Sequence, residues 1–216
     1  RAFPLSIVRR IVVFFSFILH KIFGVRKKVA LENLRHAFPE KNLIELEDIA
    51  YRSFKNFALT IIESMYVPSL PPEKIIEMVT VEDKQGLDEF VGRKNGKIIL
   101  SAHFGNWEYL AQYMGLEYKS IYPAIAKRMR NPLVDEYVEK CRNRYGYLYT
   151  LYMDKNVKEV FKALLDDKMM LLLADQSAPQ EALYVRFFNR YATTFQGAAV
   201  FALRCKAAMK MILMIR

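Results

Sequence analysis

The stretch that most constrains the fold is Lys97 to Gly115, KIILSAHFGNWEYLAQYMG. Ile98-Ile99-Leu100 is a short apolar run, long enough for a buried strand and too short for a helix. Ser101-Ala102-His103 ends it, and Phe104-Gly105-Asn106 reads as a tight turn. Asn106 is a good N-cap for a helix whose apolar residues recur at helical spacing from Trp107 to Met114, with Gly115 at the expected C′ position. This succession places His103 at the carboxyl end of a strand and Glu108 in the first turn of the next helix. In an open α/β sheet, ligands bind in the crevice beyond the strand ends. A carboxylate five positions after a histidine across such a turn can accept from one ring nitrogen and leave the other free as a base. The helix dipole alone also favours Glu in a first turn, so H-x-x-x-x-E by itself is a loose motif.

Strand and helix patterns alternate through the rest of the chain, which predicts an α/β sheet with helical cover. Val29 to Glu40 reads as a short helix ended by Phe38-Pro39, and Leu43 to Met65 as a long amphipathic one. Ile75–Val81 and Leu87–Val91 are ambiguous. Ser120 to Ala126 and Tyr147 to Tyr152 read as strands, and Asn156 to Asp166 as a helix. Met169 to Ala174 is a buried strand ending in Asp175-Gln176, Phe195 to Arg204 an apolar helix, and Met211 to Arg216 a strand.

Ala2 to Val25 is strongly apolar, but Arg9-Arg10 and His20-Lys21 flank or interrupt it. It falls short of the roughly 20 apolar residues of a spanning helix, and no small-residue cleavage site follows. The expectation is a membrane-interfacial or anchor helix over residues 1–28, with Arg26-Lys27-Lys28 at an anionic surface. A buried amphipathic helix is the competing reading.

With 33 Lys and Arg against 23 Asp and Glu, the 216-residue chain carries a formal net charge of +10. Such a balance suits an anionic partner. No motif supplies a reading helix or an RNA-binding sheet, so nucleic acid is not the expected one. Two cysteines, Cys141 and Cys205, lack C-x-x-C spacing, and three histidines are too few for a His-rich site; no metal is expected.

In its surroundings, GKIILSAHFGNWE at Gly96 to Glu108 resembles the signature block of the bacterial lipid A late acyltransferases, a branch of the lysophospholipid acyltransferase superfamily. The wider superfamily typically has H-x-x-x-x-D; the Phe-Gly-Asn-Trp interior and final Glu point to the lipid A branch. Asn33, Leu34, Phe38, Pro39 and Glu40 resemble that family's N-L-x-x-x-F-P-E segment. Asn131, Pro132 and Asp135 match R-x-x-x-N-P-x-x-D, with Lys127 where the family has Arg; lysine keeps the charge and loses the planar fork. Asp175-Gln176 resembles a strand-end D-Q pair. Val185, Phe187, Phe188, Ala192 and Thr194 match V-x-F-F-G-x-x-A-x-T, with Asn189 where Gly is usual, a residue that tolerates a left-handed backbone. The resemblance runs from about Val29 to the C-terminus.

What the resemblance implies is an α/β fold, a central mixed sheet flanked by helices of the glycerolipid acyltransferase type. A membrane-associating helix would precede an acyltransferase domain over residues 29–216, which is expected to be truncated at its C-terminus. The implied reaction moves an acyl chain from a thioester, on acyl carrier protein or coenzyme A, to a hydroxyl of a lipid A precursor. His103 and Glu108 would be the catalytic dyad, with Asn106, Lys127, Arg128, Asn131, Asp175 and Gln176 binding substrate and no cofactor. Backbone N–H groups of the Gly105-to-Trp107 turn, Lys127 or Arg128 are candidates to hold the oxyanion. The implied location is the cytoplasmic side of the bacterial inner membrane. Acylation of a lysophospholipid or aminolipid, or lipid binding without turnover, are the alternatives.

Overall fold

The computed structural model describes residues 3–152 and 157–216. Arg1 and Ala2 of the apolar segment, and Asn156 at the expected start of a helix, lie outside them. Along the chain come α1 (Leu5–Phe17), continued by a π-helical stretch (Ile18–Ile22), then α2 (Lys27–Ala37), α3 (Leu43–Tyr66), α4 (Pro72–Glu77) and α5 (Lys84–Val91). After these come β1 (Lys97–Ser101), α6 (Trp107–Tyr118), β2 (Tyr122–Ala126), α7 (Pro132–Arg142), β3 (Leu148–Tyr152), α8 (Val157–Leu165) and β4 (Met169–Leu173). β5 (Leu183–Phe187), β6 (Arg190–Thr194), α9 (Gly197–Cys205) and β7 (Ala208–Met211) complete the order. Two compact units result: Arg1–Tyr66 with Tyr184–Thr193, and Val67–Leu183 with Thr194–Arg216.

The second unit is built on a five-stranded sheet in the order β3-β2-β4-β1-β7. Each of its pairings is parallel, which corrects the expected mixed sheet. The physical reason is the connections: a helix lies between each strand of this sheet and the next in sequence, and a crossover of that kind returns the chain in the same direction. Side chains alternate between the two faces. Ile99, Ala124, Met169 and Leu171 pack with Leu87 and Phe90 of α5 and Leu110 and Met114 of α6. Ile98, Met170 and Leu172 pack on the other face with Val160 and Leu164 of α8 and Phe201 of α9. Burial on both faces explains why β1 and β4 are continuous apolar runs and not alternating ones.

β1 and β4 pair from Lys97↔Met169 to Ser101↔Leu173. The Lys97 ammonium pins the start of this ladder. It donates to the carbonyls of Arg93 at 2.6 Å, Asn95 at 3.0 Å and Asp167 at 3.1 Å. Because Asp167 stands just ahead of β4, one side chain ties the entry of both strands. Burial lowers the Lys97 pKa below its usual value.

Two expectations in this unit are corrected. Gly115 does not end α6; the helix runs on to Tyr118 and is closed by Lys119 in a left-handed conformation, φ 46°. Gly115 is instead where α6 meets the segment before β3, since a Cβ there would stand 2.6 Å from Cβ of Tyr147. The final strand is Ala208–Met211, not Met211–Arg216, because Lys206 at φ 51° ends α9 early enough for the chain to join β1 at Ala208.

In the first unit α1 lies against α3, joined by Arg9 Nε donating to Glu63 Oε1 at 2.7 Å. Its burial pattern is inverted relative to a water-facing helix. Phe14, Phe15, Ile22 and Phe23 are 61, 53, 66 and 72% exposed, while Ser16 and His20 are buried. Among the described residues no helix is long and apolar enough to cross a membrane. β5 and β6 form a separate two-stranded sheet closed by Phe188-Asn189. The left-handed residue of that turn is Phe188, φ 52°, and not Asn189 as expected. Packing accounts for the switch: Phe188 sets its ring edge-on to Phe38, centroids 5.4 Å apart, and Asn189 Nδ2 donates to the carbonyl of His36 at 3.3 Å.

His20 gives this unit a pH dependence. Its Nδ1 lies 3.3 Å from the carbonyl of Val25, and its ring lies 5.1 Å from that of Phe54. Burial, and then the ammonium groups of Lys21 and Lys27, lower its pKa below 6.5, against the opposing carbonyl of Val25 and carboxylate of Glu47. The unfolded chain therefore takes up a proton near pH 6.5 that the folded chain refuses, so stability falls as pH drops through that value and levels off above it. Urea midpoints between pH 5 and 8 are expected to rise with pH, and His20→Gln is expected to flatten that rise. An unchanged slope in the variant would assign it to other groups.

Candidate active site

The register of β1 against β4 builds the site. Each pair in that ladder is offset by 72 positions, from Lys97↔Met169 to Ser101↔Leu173. Two residues beyond the last pair, the same offset sets His103 opposite Asp175. The Asp175 carboxylate takes the backbone N–H of His103 on Oδ2 at 2.9 Å and faces ring Nδ1 with Oδ1 at 2.8 Å. One carboxylate thus fixes both the main chain and the ring of the same residue. The pairing selects the tautomer with the proton on Nδ1 and leaves Nε2 as the basic nitrogen. Gln176 Nε2 lies 3.4 Å from that nitrogen, and Trp107 sets its ring edge-on to the imidazole, centroids 4.9 Å apart.

The turn between β1 and α6 needs its glycine twice over. Gly105 has φ 59°, and a Cβ there would stand 1.7 Å from the carbonyl oxygen of Met214. Asn106 is the N-cap of α6, its Oδ1 accepting from the N–H of Tyr109 at 3.1 Å. It is buried and spent on the helix terminus, and it is not among the residues lining the crevice.

Glu108 lies where the sequence put it, in the first turn of α6, but its carboxylate is held by another partner. Arg142, the last residue of α7, donates to Oε2 from Nε at 3.1 Å and to Oε1 from a terminal nitrogen at 2.6 Å. This corrects the expected pairing of His103 with Glu108: the ring carries Asp175, and Glu108 carries a guanidinium. The difference follows from helix placement. Gln112, one turn further along α6, donates to the carbonyls of Arg142 at 2.9 Å and Cys141 at 3.4 Å. The carboxyl end of α7 is therefore clamped against the first turns of α6, and Arg142 arrives beside Glu108. Burial opposes the charge of Arg142, but the carboxylates of Glu108 and Glu139 outweigh it, and its pKa is raised. The side chains of Glu108 and Arg142 are 16 and 15% exposed, against 29% for His103, so the imidazole is the more accessible of the groups.

These residues border a crevice of about 650 Å³ at the carboxyl ends of the parallel strands, which also reaches Lys127 and Gln176. That is the expected position for a ligand in such a sheet. The loop after β2 is fixed by Asp135, which accepts from the N–H of Met129 at 2.9 Å and from Arg128 at 3.4 Å. That N–H, ahead of Tyr152 and Arg128, holds the Asp135 carboxyl below its usual pKa. Arg128 stacks on Tyr152, 3.9 Å from the ring centroid, and borders a shallower depression beside the crevice. Asn131 is the N-cap of α7, accepting from the N–H of Leu133 at 3.0 Å. The structure therefore brings His103, Glu108, Lys127, Asp175 and Gln176 to one place, sets Arg128 beside it and uses Asn106 and Asn131 as caps. Sequence reasoning missed Arg142. It lies among Lys140, Arg144 and other polar residues with nothing local to mark it. It also missed Tyr152, pushed up to about 12 by burial and by its hydrogen bond to Glu139.

Such an arrangement offers a base on Nε2, a carboxylate behind it and cations at the rim. The tautomer is directly measurable. In ¹⁵N spectra of the neutral ring, Nδ1 is expected to carry the proton in the wild-type protein. Asp175→Ala is expected to release it to a mixture of both tautomers, while Glu108→Gln leaves it in place. A reversed response of the two variants would restore Glu108 as the partner of the ring.

A family model described as bacterial lipid A biosynthesis acyltransferase matches residues 1–216, the whole chain. No curated protein matches the chain.

Proposed function

The chain belongs to the bacterial lipid A biosynthesis acyltransferase family, and from that premise we propose that it transfers a fatty acyl chain from a thioester to a hydroxyl of a lipid A precursor, with His103 as general base. The observation that carries this reading is the fixed His103–Asp175 pair at the rim of the crevice. A hydroxyl is a poor nucleophile at neutral pH and needs a base poised nearby. Nε2 of His103 takes the hydroxyl proton as the oxygen attacks the thioester carbonyl. Asp175 holds the ring and supports the imidazolium that forms, the role of the third member in a catalytic triad. When the tetrahedral intermediate collapses, the carbon–sulfur bond breaks and the imidazolium returns its proton to the departing thiolate. One ester bond forms, one thioester bond breaks, and no acyl-enzyme is needed. Burial raises the pKa of the Cys205 thiol, the wrong direction for a nucleophile.

Glu108 in this scheme acts through Arg142. Their mutual neutralisation keeps a guanidinium in the wall of the crevice without adding a second free anion beside the base. Lys127 and the N–H groups of the turn after His103 are the donors available to the oxyanion. The donor carrier is acyl carrier protein or coenzyme A, and a net charge of +10 suits both as well as a phosphorylated glycolipid.

We further propose that α1 and the π-helical stretch seat the protein on the cytoplasmic face of an anionic inner membrane. The support is the inverted burial pattern, with Phe14, Ile22 and Phe23 outward and Ser16 and His20 inward.

Thiol release from acyl–acyl carrier protein and from acyl-coenzyme A, with and without a lipid A precursor, tests the reaction. Release is expected to depend on the acceptor and to fall by about 10²- to 10⁴-fold in His103→Ala. Release supported by a lysophospholipid alone would keep the chemistry and move the acceptor. Acceptor-independent or absent release would remove the acyltransferase reading. Flotation with anionic vesicles tests the seating: replacing Phe14, Ile22 and Phe23 with serine is expected to leave the protein in the soluble fraction. Unchanged flotation of a folded variant would place the membrane contact elsewhere.

A further inference from the structure

The hairpin of β5 and β6 leaves most of its side chains uncovered. Successive residues of a strand point to opposite faces, so a strand packed on a core buries every second one. Tyr184, Val185, Arg186 and Phe187 are instead all exposed, as are Arg190 and Tyr191 of β6. Phe187 is 65% exposed and Tyr191 74%. No acidic residue lies between Tyr184 and Thr194, and neither Arg186 nor Arg190 makes an ion pair among the described residues.

The turn of this hairpin is nonetheless held in one conformation. Phe188 takes φ 52°, a region that a bulky side chain enters only at a cost. What holds it there is aromatic packing: its ring meets that of Phe187 edge-on with centroids 4.7 Å apart, and that of Phe38 at 5.4 Å. Asn189 adds its hydrogen bond to the carbonyl of His36. The hairpin is thus fixed to the end of α2, an 11-residue helix whose start, roughly 16 Å away, follows directly on the outward-facing Ile22 and Phe23. α1, α2 and the hairpin belong to the same compact unit.

Aromatic rings interleaved with arginines and no acids suit the headgroup layer of an anionic bilayer. Tyrosine rings settle at that depth, and arginine stems lie along apolar surface while their guanidinium groups reach lipid phosphates. A folded protein partner would cover one face of the hairpin; a fluid layer of headgroups covers both. The depth is limited by the backbone. A two-stranded sheet has two open edges, and hydrocarbon does not admit unpaired N–H and C=O groups.

We propose that the β5–β6 hairpin is a second lipid-contacting element, which places Phe187 and Tyr191 among the headgroups of an anionic bilayer with Arg186 and Arg190 on the lipid phosphates. The inference rests on the seating through α1, because a contact this small binds only marginally without a second one. The seating itself does not need the hairpin.

The test uses Phe187→Trp, an aromatic exchange at an exposed position, with the contribution of Trp107, the one native tryptophan, subtracted by the parent protein. On vesicles of phosphatidylglycerol and phosphatidylethanolamine, the emission of the new indole is expected to shift to the blue. Lipids brominated near the headgroup are expected to quench it more than lipids brominated near the chain end. In vesicle titrations, Arg186→Gln and Arg190→Gln are each expected to weaken binding by about fivefold, and vesicles without phosphatidylglycerol are expected to erase that difference. An indole that stays unquenched while the protein floats with the vesicles overturns the inference and leaves the seating through α1 standing. Stronger quenching from the chain end overturns the headgroup placement. Emission that responds to acyl carrier protein and not to vesicles overturns the inference and assigns the hairpin to a protein partner. A wild-type protein that binds no vesicles overturns the inference and the seating together.

Discussion

Everything at the site depends on one alignment, the parallel ladder between β1 and β4. It is held by a polar clasp at each end. At the entry, the Lys97 ammonium takes three carbonyls, one of them from Asp167 just ahead of β4. At the exit, the Asp175 carboxylate takes the N–H and the ring of His103. Between the clasps lie apolar residues buried on both faces, which specify that the strands pair but bind their register only through which side chain meets which helix. A slip of one residue would turn Ile98 and Ile99 to the wrong faces and carry His103 away from Asp175. Packing and chemistry therefore select the same register, and the carboxylate at the exit serves both.

The local part of this was legible in the sequence. The strand, the turn, the Asn106 cap and the start of α6 are all encoded within a few residues of His103. What was not legible is which distant segment each polar side chain meets. Glu108 is five positions from His103 and looked like its partner, yet Arg142 holds it from 34 positions away, and Asp175 reaches the ring across 72. Local spacing cannot foresee that Gln112 anchors the end of α7 beside Glu108. The same limit explains Gly115, which reads as a helix stop but serves the close approach of α6 to the segment before β3. It explains Phe188 as well, where an aromatic contact with Phe38 outweighs the backbone preference that would have put the left-handed residue at Asn189. Strand direction was hidden for a different reason: the residues of β1 and β4 suit a parallel or a mixed sheet equally, and the intervening helices decide it.

The N-terminal segment shows the converse, a case where composition left two uses open. An apolar stretch of this length serves a protein core or a lipid surface equally well. The distinction lies in which side chains turn inward. Here a serine and a histidine do, in the company of Tyr51 and Phe54, while phenylalanines face out. Burying His20 costs solvation of its charged form. That cost is tolerated in a helix whose apolar face is committed to the outside.

The two carboxylates near His103 illustrate how a site separates like groups by their partners. Asp175 and Glu108 are each ordinary acids at the end of a strand and the start of a helix. Were both free beside the imidazole, each could accept from a ring nitrogen, and neither tautomer would be selected. Arg142 removes that competition by neutralising Glu108 through a two-point contact on a half-buried surface. The imidazole then answers to Asp175 alone, whose geometry dictates the nitrogen that carries the proton. Lysine in place of Arg142 would keep the charge and lose the planar fork, leaving one carboxylate oxygen of Glu108 without its donor. The guanidinium is thus part of what leaves Asp175 as the carboxylate that faces the ring.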